Sequence, residues 1–454
     1  MINLHSAKVR GQSRRDFIKI GGMAAGGLSL ANLLEAETRA GTGESHKGII
    51  NIYLPGGPPH IDMFDMKPDA PSEIRGEFRP IKSNVPGMEF CELFPNLAKC
   101  ADKFAIIRTI ADCDSQHDSY QCMTGRKKRN GPAAPQGGWP NSGAWVSKLQ
   151  GSRPGIPANI GLMYPTKAGN WGLPYDGGFI GRAHSPMNLV QKDPNEKAQN
   201  LELNGISIDR LEDRSKLRNA IDNFRRSVDV TGQMEGLNDY NRQALSILSR
   251  SKLLDALDLS KENPKVAERY GVNDPKLTYG EGAPKMVRNF LVALRLVEAG
   301  ARVVSLNFSR WDWHGVADLF NFPRSREDFP MLDRGLSALF GDLHSRGLDK
   351  DIAVVVWGEF GRTPRINKLN SRDHWPGTSF ALMAGGGMRT GQVIGETDKE
   401  AAYPIERPVK FQEVFATLYH CIGLNPSEAT VTDNQGRPHY LVEAGNSPMP
   451  ELVG

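Results

Sequence analysis

The sequence has little cysteine, little net charge and no long apolar run beyond its first 40 residues. Five cysteines stand among 454 residues, and none forms a Cys-x-x-Cys pair. A metal site built from cysteines is therefore not expected, although one disulfide is compatible with the first four of them, and at least one thiol stays unpaired. The longest later apolar run, Ile352–Trp357, is far shorter than the roughly 20 residues of a membrane helix and predicts a buried strand.

The net charge of +4 is concentrated at the N-terminus. Six basic and three acidic residues lie within positions 1–40, which leaves the rest of the chain nearly neutral. A neutral body gives no electrostatic reason to expect nucleic acid or an anionic membrane as a partner. At 39% hydrophobic and 24% charged residues, the composition is that of a globular protein.

The first 40 residues have the order of an export signal. Arg14 and Arg15 precede a weakly apolar, glycine- and alanine-rich run at 20–34, and Thr38-Arg39-Ala40 follows. This segment resembles a twin-arginine leader, which predicts recognition by the twin-arginine translocase, cleavage near residue 40 and a periplasmic or secreted mature protein without a membrane span. The alternative is an ordinary N-terminal helix with a basic cap.

The remaining chain, residues 41–454, alternates apolar strands with helical patterns. Strands are predicted at 48–54, 104–109, 303–308 and 352–357, and helices at 285–298 and 329–345. This alternation predicts a single α/β domain whose parallel sheet is covered on both faces. The polar, charge-rich stretch at about 185–285 is interpreted as a helical insertion.

Potential metal ligands follow several predicted strands. Such sheets carry function in loops at the carboxyl ends of their strands, where oxygen and nitrogen donors can meet a divalent ion. A single Asp-x-His pair is more often a surface pair or a core histidine. Four such groups at strand ends are much harder to explain by chance. The groups are His60, Asp62 and Asp65; Asp312 and His314; Glu359 and Arg362; and Arg372, Asp373 and His374.

Longer motifs identify a family resemblance. Residues 115–126 resemble the sulfatase nucleophile signature, with Ser115 nine residues before Thr124-Gly125-Arg126, although His117 and Ser119 replace its usual proline and arginine. The stretches GGPPHIDMFD, HDSYQCMTGR, WDWHG, VVVWGEFGRTPRIN and RDHWP resemble the bacterial family called domain of unknown function 1501. That family is placed with the alkaline phosphatase and sulfatase superfamily.

The resemblance implies an α/β, alkaline phosphatase-like three-layer sandwich with a mostly parallel central sheet and a helical insertion. It further implies a site with two divalent ions, the choice among Zn, Mn, Ca and Mg being open. The metal ligands expected by this analogy are Asp62, Asp312, His314, Glu359, Asp373 and His374. The expected catalytic residues are Ser115, His117, Arg362 and Arg372, with salt bridges as the alternative role of both arginines.

The implied activity is hydrolysis of a phosphate or sulfate ester on a small molecule or a polysaccharide. Phe360 stands where a histidine ligand is common in the superfamily, and His117 is a candidate replacement. These departures favour an alternative, a non-catalytic envelope or glycan-binding protein that keeps the fold, with or without one metal.

The leader generates a test of export. Replacing Arg14 and Arg15 by lysine removes the paired guanidinium groups that define the signal, so we expect the precursor to accumulate in the cytoplasm. Cell fractionation with N-terminal sequencing of the mature protein measures this, and the unaltered chain should begin near Gly41. Unchanged export of the double variant would contradict the twin-arginine interpretation.

Overall fold

The structure, a computed structural model, describes residues 47–128, 131–166, 170–190, 252–276, 282–316 and 319–454. The predicted leader and residues 191–251 of the predicted insertion lie outside the described residues. No helix in the described parts of the chain is long and apolar enough to cross a membrane. All five cysteines are free thiols, so the disulfide left open by the sequence does not form.

The strands are short, and the central ones are completely buried. In chain order they are β1 Gly48–Tyr53, β2 Pro80–Lys82, β3 Glu89–Cys91, β4 Phe104–Ala111, β5 Asn159–Leu162, β6 Met187–Asn188, β7 Val303–Asn307, β8 Ile352–Trp357, β9 Gly361–Arg362, β10 His374–Trp375, β11 Ser379–Gly385, β12 Gln392–Ile394, β13 Glu396–Thr397, β14 Pro404–Glu406, β15 Val409–Lys410, β16 Thr430–Thr432 and β17 Pro438–Tyr440.

One sheet of nine strands organises the described residues, in the order β12-β4-β11-β8-β1-β7-β5-β6, with β15 beside β4. Strand β11 is antiparallel to both of its neighbours, β4 and β8. The other pairings in this sheet are parallel. Because β11 runs against the rest, its amino end lies at the same edge as the carboxyl ends of the parallel strands.

Helices cover the sheet on both faces. The α-helices, numbered through the described residues, are α1 His60–Met63, α2 Ser72–Arg75, α3 Pro95–Ala98, α4 Tyr120–Thr124, α5 Ser142–Gln150, α6 Lys252–Leu257, α7 Pro264–Tyr270, α8 Asn289–Ala299, α9 Asn321–Ser345 and α10 Phe411–Cys421. Short 3-10 helices lie at Ala101–Lys103, Asn170–Gly172, Gly178–Ile180, Arg182–His184 and Leu259–Lys261.

Side chains of β8 alternate between the two faces of the sheet, which explains why helices, sheet and helices form three layers. Val354 and Val356 pack into the core beneath α8 and α9, whereas Val355 and Trp357 pack into the opposite core beneath α5 and α10. Alternate residues of a strand point to opposite faces, so an uninterrupted apolar strand requires cover on both sides. The predicted α/β sandwich with a mostly parallel central sheet is confirmed.

Candidate metal centre

Four of five neighbouring strands deliver the site residues to one edge of the sheet. Strands β4, β11, β8, β1 and β7 are consecutive in the sheet. The loop after β4 carries His117, the loop after β8 carries Glu359, the loop after β7 carries Asp312 and His314, and the segment just before β11 carries His374. Residues far apart in sequence thus meet at the edge where parallel sheets usually hold their ligands.

Three of these side chains form a compact group. One ligand atom each from His117, Asp312 and His374 lies within 4.8 Å of the other two. Among the described residues, these three form the group that could hold a metal ion. Both Nε2 of His374 and Nε2 of His117 face Oδ1 of Asp312, at 2.9 and 3.3 Å. Nε2 of His314 lies 3.2 Å from the other oxygen, Oδ2.

His117 is oriented from behind by Glu359. Its Nδ1 lies 3.1 Å from Oε1 of Glu359, an oxygen that also accepts a 2.8 Å hydrogen bond from the backbone N–H of Gly56. A histidine that donates one ring N–H to a carboxylate presents its other nitrogen as a basic ligand. Nε2 of His117 is buried and makes no hydrogen bond of good geometry, which suits a ligand aimed at an ion.

The charges around Asp312 set the electrostatics of the group. Burial alone would raise the pKa of Asp312, but contacts with the three histidines and the charge of Arg362 hold it well below its usual range. Burial acts to lower the pKa of His117, yet its contacts with Asp312 and Glu359 raise it overall. Burial lowers the pKa of His374. Asp312 therefore stays ionised, as a metal ligand must.

The Gly56-Gly57 turn lets these loops approach. Both glycines have positive φ, at 111° and 79°. A Cβ on Gly56 would lie 2.6 Å from the backbone nitrogen of Asp312, and one on Gly57 would lie 2.4 Å from the ring of Phe360. Real Cβ atoms do not approach so closely, so a larger residue at either position would push the site loops apart.

Aromatic rings wall the group. Trp171 packs on His117 with ring centroids 4.2 Å apart, and Phe360 contacts both His117 and His374 at 5.2 and 4.9 Å. Phe360 thus supplies packing between the two histidines. The side chains of His314 and His374 are 30% and 35% exposed, against 17% for His117, so the group opens to solvent on the His314–His374 side.

Arg310 and Trp171 are site residues that the sequence reasoning missed. Nη2 of Arg310 lies 3.3 Å from Oδ2 of Asp312, and its guanidinium lies over the ring of Trp171. Arg310 stands two residues before Asp312 in a strand-end loop, so its position was available as a signal. Trp171 lies far along the chain from His117, and no local pattern marks it.

The two arginines predicted to bind an anion are enclosed by protein. Arg362 donates to the carbonyl oxygens of Gly57, Trp311 and Arg372 at 2.7, 3.0 and 3.1 Å, and to Oδ1 of Asp312 at 2.8 Å. Its side chain is 1% exposed. This guanidinium thus lies beneath the group, and its hydrogen bonds hold the loops that carry Gly57, Asp312 and Arg372 together.

Arg372 forms a buried pair with Asp62. Its Nε and Nη2 donate to the two oxygens of that carboxylate at 2.7 and 2.8 Å, and Nδ2 of Asn321 donates to Oδ2 at 2.7 Å. Both charged side chains are at most 1% exposed. The guanidinium thus binds both oxygens of Asp62. The structure does not bring Asp62 into the group of His117, Asp312 and His374.

Two further predicted residues, Asp373 and Ser115, are exposed. Asp373 is exposed and accepts a 3.0 Å hydrogen bond from Nδ2 of Asn367. Ser115 is exposed in the loop after β4, two residues before His117. The geometry therefore unites His117, Asp312, His314, Glu359 and His374, with Arg362 as their support.

The sheet and this group define a mixed α/β protein with a candidate metal centre at the carboxyl edge of its strands. The chain belongs to the family described as protein of unknown function (DUF1501), whose model matches residues 46–453. The family predicted from the motifs is thereby confirmed. Comparison with curated proteins found no significant match.

Solved structures with partial similarity include hydrolases. A phosphonate monoester hydrolase from Silicibacter pomeroyi is 11% identical, with a TM-score of 0.36 over 84% of this chain and 74% of that one. A sulfatase from Pseudoalteromonas sp. is 11% identical, with a TM-score of 0.33 over 88% and 72%. A lipoteichoic acid synthase from Listeria monocytogenes is 9% identical, with a TM-score of 0.32 over 89% and 74%. Such low scores carry no argument, and the fold assignment rests on the sheet topology.

The geometry generates a test that separates Asp62 from Asp312. In Asp62→Asn, Arg372 stays buried without its counter-charge, so we expect the free energy of unfolding of the metal-free protein to fall by about 3–5 kcal/mol. The metal content of the folded fraction should not change. Asp312→Asn, in contrast, should remove bound metal because it neutralises the central ligand.

Urea unfolding and elemental analysis of the folded protein measure the two effects. Asp373→Asn, at an exposed carboxylate outside the group, is the control and should alter neither. Loss of metal from a stably folded Asp62→Asn variant would instead make Asp62 a ligand.

Proposed function

We propose that this protein is an exported, metal-dependent hydrolase of phosphate or sulfate esters that works with one divalent ion. The observation that carries the proposal is the group of His117, Asp312 and His374, open to solvent on one side and ordered from behind by Glu359. Three protein ligands with an open position are typical of catalytic rather than structural zinc sites. The superfamily analogy supplies the reaction class.

The donor set favours a borderline ion over a hard one. Two imidazoles and one carboxylate suit zinc, manganese or iron better than calcium or magnesium, which prefer oxygen ligands. Asp62, with both oxygens bound by Arg372, and the exposed Asp373 lie outside the group, so we propose a single ion instead of the expected two. When bound, this ion would polarise the ester and activate water.

The residues around the group fit the other tasks of ester hydrolysis. Asp312 and His374 hold the reacting centre at the solvent boundary, and Glu359 fixes the orientation of His117. His314, 30% exposed and 3.2 Å from Oδ2 of Asp312, is placed to give a proton to the leaving oxygen. Arg310, beside the same carboxylate, supplies the positive charge that attracts an anionic ester.

The second candidate function is metal-dependent binding without catalysis. It is favoured by the loss of two superfamily features: Asp62 is neutralised by Arg372, and Phe360 takes a common ligand position. A glycan-binding envelope protein that retains one ion fits these departures. Turnover decides between the two functions, since both require the ion.

Metal content and ester hydrolysis test the proposal together. Protein purified without chelator should contain close to one equivalent of a first-row divalent ion per chain. It should hydrolyse an aryl phosphate or an aryl sulfate in a reaction that a chelator stops and zinc or manganese restores. His374→Ala removes a ligand and should lower both the bound metal and the turnover at least tenfold.

The exposed His344, which pairs with Asp349 far from this edge, provides a matched histidine-to-alanine control. His344→Ala should leave both readouts unchanged. Stoichiometric metal with no cleavage of any ester would support the binding function, and protein that binds no metal would refute both functions.

Ser115 decides between covalent and direct attack. If its hydroxyl is the nucleophile, Ser115→Ala should abolish turnover while leaving metal binding intact. If water attacks directly, the variant should retain activity within a few-fold. Because Ser115 is exposed and His117 and Ser119 replace the usual proline and arginine of the nucleophile signature, we expect retention, measured as steady-state hydrolysis of the aryl ester. Trapping of a phosphorylated or sulfated Ser115 by rapid quenching would contradict this expectation.

A further inference from the structure

Behind His117, the carboxylate of Glu359 has one oxygen with no hydrogen-bond partner. Oε1 contacts Nδ1 of His117 and accepts the N–H of Gly56. Oε2 is buried and unpartnered among the described residues, and the side chain is 1% exposed. A buried carboxylate oxygen without a donor is costly, so a donor close to it has a large effect on the orientation of Glu359.

A tyrosine with the same deficit stands at the end of the neighbouring strand, β1. Tyr53, the last residue of β1, is 0% exposed, and its hydroxyl has no hydrogen-bond partner among the described residues. The register of β1 with β8 pairs Tyr53 with Trp357, two residues before Glu359. Burial raises the pKa of Tyr53 well above its usual value, and the neighbouring charge of Glu359 raises it further. An unpartnered phenol donor and an unpartnered carboxylate acceptor are thus buried at the ends of two adjacent strands.

We propose that Tyr53 is a positioning residue, whose hydroxyl donates to Oε2 of Glu359 and thereby orients His117 toward the ion. With Oε2 held, Oε1 keeps its place against Nδ1 of His117, and Nε2 points to Oδ1 of Asp312. A series of hydrogen bonds, Tyr53–Glu359–His117, thus runs from the end of β1 to the metal group. This inference rests on the proposed metal function of that group.

The other groups around Tyr53 are weaker hydrogen-bond partners for its hydroxyl than Glu359. Cys122 and Asp118 also influence the Tyr53 hydroxyl. The thiol of Cys122 is a weak donor, and the carboxylate of Asp118 already accepts from Lys128, Tyr175 and Asn170. Of the groups around the Tyr53 hydroxyl, Glu359 is accordingly the one with an open, strong acceptor.

Removal of the hydroxyl alone tests the proposal. In full-length protein, Tyr53→Phe should weaken zinc binding about 3- to 10-fold, less than the 10- to 100-fold expected for Glu359→Gln, which contacts the ligand directly. Competition with a chromophoric chelator measures the affinity. The absorption spectrum of the cobalt-substituted protein reports a change in ligand geometry that a loss of packing would not produce.

Tyr419 gives a matched control. It is 0% exposed, its hydroxyl is also buried without a hydrogen-bond partner, and it lies in α10. Tyr419→Phe removes an equivalent hydroxyl and should leave zinc affinity within twofold of the unaltered protein. The thermal midpoints of the metal-free variants show whether either change acts through stability, and Tyr53→Met offers a second side chain without the hydroxyl.

A double variant shows whether Tyr53 acts through Glu359. Adding Tyr53→Phe to Glu359→Gln should weaken zinc binding no further, because the acceptor has already been changed. Wild-type affinity and cobalt spectrum in both Tyr53→Phe and Tyr53→Met would overturn the inference and leave the proposed function intact. Additive effects in the double variant would also overturn it. Absence of zinc binding by the unaltered protein would refute the proposed function as well.

Discussion

The site depends on one buried carboxylate, that of Asp312. A lone carboxylate in the protein interior is costly, and the folded chain offsets this cost with three imidazoles and two guanidinium groups. His117 and His374 converge on one oxygen, and His314 and Arg310 lie against the other. Since these partners come from loops of different strands, satisfying this charge brings the edge of the sheet together.

Two buried arginines hold the loops beneath that carboxylate. Arg362 connects Asp312 to the Gly56-Gly57 turn through backbone carbonyls, and Arg372 joins Asp62 to the segment after β9. A guanidinium has five donors in a rigid plane, so one side chain can bind several carbonyls and a carboxylate together. Because both side chains are at most 1% exposed, neither guanidinium is accessible to a ligand.

The two sides of the centre differ in their exposure to solvent. Glu359 and His117 lie on the protein side, where burial strengthens their hydrogen bonds, whereas His314 and His374 face solvent. An ion held between these sides would have firm ligands behind it and an open approach in front. The aromatic wall of Trp171 and Phe360 limits the entry of water around His117. This arrangement is suited to one reactive position at the surface of the group.

The sequence by itself determined the family, the α/β class and the edge of the sheet where chemistry-bearing residues gather. These are local properties: apolar strands of period two, helical spacing, and motifs such as WDWHG at strand ends. The sequence also offered Asp312, His314, Glu359 and His374 as candidates, because each follows or precedes a recognisable strand.

Only the tertiary structure decided which of these candidates share a site. Asp62 and His60 follow β1 in the same way that Asp312 follows β7, yet Arg372 neutralises Asp62, and His60 bonds to the backbone of Ala401 and Arg362. Local sequence specifies that a carboxylate leaves a strand, but its partner is chosen by loops that meet across the sheet. The same holds for Trp171, which packs on His117 from a segment far along the chain.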